Sequence, residues 1–169
     1  MSDRTPREGH QELAERLKAL TQSLPSDLEL RRLLLNLDDP ANDEMSKDRY
    51  AALIAGGAVD ECLGTAIERQ TPKAPKFFGE RISCAKKLGI ITDGQSIEIE
   101  KIKLIRNAFA HSLHPIGFGD ETISEATKGL WDHPVTSWAG YYAPRFTPRH
   151  QYAIVCSEFC DLLLRAPDP

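Results

Sequence analysis

Lys101-Ile-Lys-Leu-Ile-Arg106-Asn107-Ala-Phe-Ala-His111-Ser112 is the stretch that decides how this chain reads. Ile102, Ile105 and Phe109 recur at spacings of three and four, which is one face of a helix turning about 100° per residue. The polar residues fall elsewhere. With Arg106 at zero, Ala110 lies at about 40°, Lys103 at about 60°, Asn107 at about 100° and His111 at about 140°. Asn107 and His111 are i, i+4 neighbours and can touch. Arg106 lies to their side, with a stem long enough to bring its guanidinium over. The stretch therefore predicts a helix with one buried face and an Arg-Asn-x3-His set on a polar arc. The small Ala110 leaves room within that arc.

Outward from this helix, placed at 96–112, nearly every apolar run has helical spacing. Leu13, Leu17 and Leu20 form one stripe over residues 8–23, which Leu24 continues up to the break at Pro25. Ser26 and Glu29 form a capping box for a second helix through Leu30, Leu33, Leu34 and Leu37. Ser46 is the expected cap of a long third helix carrying Tyr50, Leu53, Ile54, Val59, Leu63 and Ile67. Gly56 and Gly57 interrupt it, each costing about 1 kcal/mol of helix propensity relative to Ala, so close packing is expected there. Phe77 to Leu88 reads as a fourth helix stopped by Gly89. His114 to Gly119 reads as a turn, 120–130 as a short helix, 131–147 as an irregular aromatic segment and 148–165 as the last helix. The expectation is a single all-α domain, a bundle of about six to seven helices with little or no sheet.

Composition narrows the functional classes. The chain has 169 residues, a net charge of −4 and 27% charged residues, enough for one domain with a real core. An acidic balance disfavours direct duplex DNA binding, which neutralises phosphates with clustered cations. The polar N-terminus does not resemble a signal peptide, and no apolar stretch approaches membrane-span length, so a cytoplasmic protein without membrane contact is expected. Cys62, Cys84, Cys156 and Cys160 contain no Cys-x2-Cys pair and read as small apolar side chains. Cys156/Cys160 or His111/His114 supply pairs, short of the four convergent ligands of a closed zinc site. No metal or cofactor is expected.

The Arg106, Asn107 and His111 set can do chemistry on RNA. RNA carries its own nucleophile, the 2′-hydroxyl. A histidine can take the proton of that hydroxyl or give one to the leaving oxygen. An arginine can hold two phosphate oxygens as charge builds at phosphorus, and an asparagine can position either group. A structural reading stands beside it. A histidine in a last helical turn complements the helix dipole, and an arginine pairs with any nearby carboxylate.

Two segments taken together resemble the mannitol operon repressor family, small all-helical bacterial proteins related to the HEPN superfamily. The first is Asp48-Arg49-Tyr-Ala-Ala-Leu-Ile-Ala with Asp60-Glu-Cys-Leu. The second is Phe78-Gly-Glu-Arg81-Ile82, running through Leu88-Gly89-Ile90-Ile91 to Ile102-Lys-Leu-Ile105-Arg106-Asn107-Ala-Phe109-Ala110-His111-Ser112. The resemblance covers about residues 26–130, outside which lie the first helix and the aromatic segment. It implies a bundle that dimerises. It also implies either a metal-independent endoribonuclease whose Arg and His meet across a two-fold axis, as in HEPN ribonucleases of toxin and phage-defence systems, or a non-catalytic regulator working through an antitoxin-like or other protein partner. Arg106, Asn107 and His111 would be the catalytic set.

Lys103, His114 and Arg145 extend the candidate RNA-binding set. Trp131, Trp138, Tyr141, Tyr142 and Phe146, followed by Arg149 and His150, could stack bases or fold back over the core. Lys86, Lys87, Lys101, Lys103 and Arg106 would line up as a basic strip if the fourth and fifth helices are adjacent, or be an ordinary solvated face.

Overall fold

A computed structural model of the protein describes residues 6–22, 44–132 and 147–165. Their elements are α1 (Pro6–Gln22), α2 (Glu44–Glu68), α3 (Phe78–Lys87), α4 (Asp93–His111), α5 (Glu121–Lys128), a 3-10 turn (Gly129–Asp132) and α6 (Pro148–Leu164). The protein is all-α, and no strand occurs among the described residues. The second helix expected at 26–37, Arg145, and most of the aromatic segment lie outside the described residues.

α2 is the helix around which the others assemble. It packs against α6, α4 and α3, while α1 lies against α4 and α5. Its buried face is made of small and branched residues: Ala52, Gly56, Val59, Leu63, Gly64, Ala66 and Ile67. Tyr50 and Ile54, expected on that face, point away from it and are 55% and 71% exposed. At about 100° per residue these two fall well off the Ala52–Gly56–Val59–Leu63 line, because alanine and glycine mark the seam here and not the larger residues.

Gly56 sits where three helices come closest. A Cβ built on it would lie 2.6 Å from the Tyr152 hydroxyl of α6 and 2.8 Å from Arg106 Cβ of α4. A Cβ on Gly57 would meet nothing within 4 Å. Close packing thus explains one glycine of the pair and not the other. Tyr152 is fully buried, and its hydroxyl proton faces the carbonyls of Ile102 at 3.3 Å and Ala52 at 3.4 Å, joining α4 to α2. Its ring continues a row of aromatics, 5.3 Å from Phe118, which is 4.9 Å from Phe109.

Local chemistry sets the helix ends. α4 starts at Asp93, ahead of the expected 96, because Thr92 and Gln95 form a reciprocal capping box. α3 ends in a Schellman arrangement: Ile90 N donates to Ala85 O at 2.9 Å and Gly89 N to Lys86 O at 3.1 Å, with Gly89 at φ 72°. α2 begins at Glu44, so Ser46 is inside the first turn and does not cap it. α2 also corrects the expectation about membrane-span length, since its length and composition alone would let it cross a membrane. Here it is the central helix of the bundle.

The glycine pair gives a paired prediction. Gly56→Ala should lower stability by about 1–3 kcal/mol, because overpacking against the Tyr152 hydroxyl and the base of the Arg106 side chain outweighs the propensity gain. Gly57→Ala should raise stability by about 0.5–1 kcal/mol. Urea unfolding of both variants reads this; equal effects of the same sign would refute the packing account.

Candidate functional site

The expected buried face of the signature helix is realised: Ile102, Ile105 and Phe109 are fully buried in the core. Around that anchor, α4 holds Arg106 on its α2 side and Asn107 and His111 on its α1 side. The Arg106 stem packs over Gly56, since its Cβ and Cγ are the atoms a Cβ there would strike. Arg106 Nη1 donates to Asn107 Oδ1 at 3.1 Å. Among the described residues, no carboxylate lies within ion-pairing distance of Arg106. Asp60 on α2 still feels its charge: burial raises the Asp60 carboxyl above its ordinary range, and Arg81 and Arg106 hold that rise back.

Asn107 and His111 line one groove with Leu104, Lys103 and, from α1, Leu17 and Lys18. Its volume is about 260 Å³. His111 is exposed in the last turn of α4. Asn107 is therefore the hinge of the set, hydrogen-bonded to Arg106 and sharing a groove with His111. Lys103 stands at the groove as expected, and its ammonium pairs with Glu100. His114 is not at the groove; its backbone N–H bonds Ser112 Oγ at 3.1 Å within the turn after α4.

The basic strip does not form. Lys86 pairs with Asp93 at 3.1 Å, Lys101 with Glu98 at 2.8 Å and Lys103 with Glu100, so three of its members are neutralised locally. Lys101 also turns toward Gly129 O, away from Lys103.

The sequence reading missed two residues that hold the site end of α4 in place. Arg49 Nη2 donates to Ser112 O at 2.9 Å, closing the C-terminal end of the signature helix. Its half-buried position pulls the guanidinium below its ordinary pKa. Asp48 accepts from Phe118 N at 2.8 Å and pairs with Arg149 at 3.0 Å, tying the turn to α6. The sequence marks Asp48 as a first-turn acid favoured by the helix dipole and the Asp48-Arg49 pair as part of a resemblance, with nothing in its spacing to mark it as a clamp. Leu17 and Lys18 were missed because nothing in the sequence says which face of α4 the first helix covers.

The cysteines stay apolar in role. Burial pushes Cys156 well above the ordinary thiol range, and burial together with a contact to Cys62 pushes Cys160 up to about 12. Among the described residues, no group of three or more His, Cys, Asp or Glu side chains is placed to hold a metal ion. Compared with known protein families, with curated proteins and with solved structures, the chain matches none. The fold and site geometry therefore define the class of protein, an all-helical bundle carrying an Arg-Asn-His set at one helix end, and the comparisons add no family.

Clamp and site residues should separate on mutation. Arg49→Ala should lower stability by about 1.5–3 kcal/mol, the range for a hydrogen bond from a charged donor. His111→Ala, at an exposed position, should stay within about 0.5 kcal/mol of the parent. Thermal unfolding by circular dichroism checks both, and a large loss in His111→Ala would give that side chain a structural role.

Proposed function

We propose that this protein is a metal-independent endoribonuclease of the HEPN type, acting as a homodimer and belonging to the toxin-like or defence-like kind. The observation that carries the reading is the Arg106–Asn107 hydrogen bond. It leaves a guanidinium with no carboxylate partner among the described residues, beside the groove that holds His111. Arg106 differs in this from Arg81, which pairs with Asp60 at 3.0 Å, and from Arg149, which pairs with Asp48.

In this reading Arg106 holds the scissile phosphate and Asn107 fixes the guanidinium plane. His111 takes the proton of the 2′-hydroxyl, whose oxygen then bonds to phosphorus as the bond to the 5′ oxygen breaks. The leaving oxygen gains a proton, and the products are a 2′,3′-cyclic phosphate and a 5′-hydroxyl end. A second copy would contribute its own set across a two-fold axis, as the resemblance to HEPN ribonucleases implies, and the site would be shared. DNA lacks the nucleophile and would be spared.

A second reading is a non-catalytic regulatory module similar to the mannitol repressor family, working through a protein partner in the cytoplasm. The net charge of −4 and the exposed Tyr50, Ile54 and Leu113 favour it.

Incubation of the purified protein with total RNA and EDTA separates the two. The expected result is cleavage with cyclic-phosphate ends, reduced at least 100-fold in Arg106→Ala and His111→Ala. Unchanged RNA with the wild type, or equal cleavage by folded variants, would sink the nuclease reading.

A further inference from the structure

Four cysteines are spread over three helices, and two of them meet. Cys62 of α2 and Cys160 of α6 are both half-buried, and the Cys160 thiol donates a hydrogen bond to the Cys62 sulfur. Cys84 is on α3, where it lines a groove with Glu80, Ser83 and Lys87. Cys156 lies one turn before Cys160, buried against the Tyr152 hydroxyl.

The register of the helices gives the same pairing independently. α2 and α6 run in one direction, since Arg149 at the start of α6 pairs with Glu44 and Asp48 at the start of α2. Further along, the Tyr152 hydroxyl donates to Ala52 O. Past the end of α2, Arg69 Nη1 donates to Leu164 O at the end of α6 at 2.9 Å. Cys62 and Cys160 fall between those last two ties, at one level on neighbouring helices. Each stands beside fully buried neighbours on its own helix, Val59 and Leu63 for Cys62, Phe159 and Leu163 for Cys160. Both thiols therefore sit at the edge of the α2–α6 seam, where a small reagent reaches them.

We propose that Cys62 and Cys160 are a reversible dithiol–disulfide pair, oxidised by a low-molecular-weight disulfide, whose closure ties α2 to α6. Reduced, the two thiols are apolar side chains packed on the core. In the first step the Cys62 sulfur attacks one sulfur of the small disulfide. That S–S bond breaks, and the departing small thiol takes up the Cys62 proton. In the second step the Cys160 sulfur attacks Cys62 in the mixed disulfide, the protein S–S bond forms, and the second small thiol leaves with the Cys160 proton. Two protein thiols are oxidised and one small disulfide is reduced to two thiols. The surroundings set the order. Burial, the hydrogen bond to Cys62 and the Cys62 charge hold Cys160 above the ordinary thiol range, so it stays protonated during the first attack. Capping Cys62 removes its charge, and Cys160 then ionises more readily. The closed loop contains α3, α4 and α5, so the bond restricts the unfolded chain over most of its length.

The full-length protein is incubated with oxidised glutathione, remaining thiols are alkylated under denaturant, and peptides are mapped by mass. Two of the four cysteines should be lost to one intramolecular Cys62–Cys160 bond, leaving Cys84 and Cys156 alkylated. The urea midpoint should rise by about 1 M and return with dithiothreitol. Cys160→Ser should keep a glutathione adduct on Cys62, and Cys62→Ser should take up at least about 10-fold less, neither showing the midpoint shift. Mapping of the wild type decides the pairing even where a variant fails to fold. Four persisting thiols, a bond through Cys84 or between two copies, or stable adducts on both Cys62 and Cys160 would overturn the pair. A bond that forms while the midpoint stays or falls would overturn the tie between the helices.

Discussion

The absence of a side chain at Gly56 is the constraint on which the described structure turns. It lets α2, α4 and α6 meet at one point, with the Arg106 stem and the Tyr152 hydroxyl occupying the space a Cβ would need. From that contact the rest follows in order. Tyr152 reaches carbonyls of both α2 and α4, its ring packs at a tilt against Phe118, and Phe118 does the same against Phe109 of the signature helix. The same glycine that closes the core also sets where the Arg106 guanidinium emerges. Core packing and site geometry are one arrangement here, so evolution of either is restricted by the other.

The clamp at the end of α4 performs a related task. The four last carbonyls of a helix lack intrahelical donors, and a helix end that carries function needs them held. Arg49 provides one donor directly, and Asp48 fixes the following turn through Phe118 N and Arg149. His111 is thereby presented from a helix end braced by two other helices, although its own ring stays in solvent.

How much of this was legible in the sequence depended on whether the signal was local. The helical class, the buried face of Ile102, Ile105 and Phe109, and the stop at Gly89 follow from period and turn chemistry, and all three hold. The Thr92–Gln95 box was equally local, and placing the helix start at 96 overlooked it. The face of α2 was misjudged because Tyr50 and Ile54 look like core residues by size, while the seam was written in alanines and glycines. The basic strip failed for a different reason. A row of lysines carries no record of the carboxylates that fold beside them, and Glu98, Glu100 and Asp93 each take one. The approach of Leu17 and Lys18 to Asn107 and His111 is a long-range fact with no local trace.

The attachment of α1 has a thermodynamic consequence. Among its described side chains Leu17 alone is fully buried, and Arg16 holds α5 through Glu125 and Thr122 from a partly exposed position. Detaching α1 exposes far less apolar surface than detaching α2 would, so its local opening costs a fraction of the global unfolding free energy. The wall it forms beside Asn107 and His111 is therefore expected to open ahead of the rest of the bundle, with amide exchange in α1 running ahead of exchange in α2.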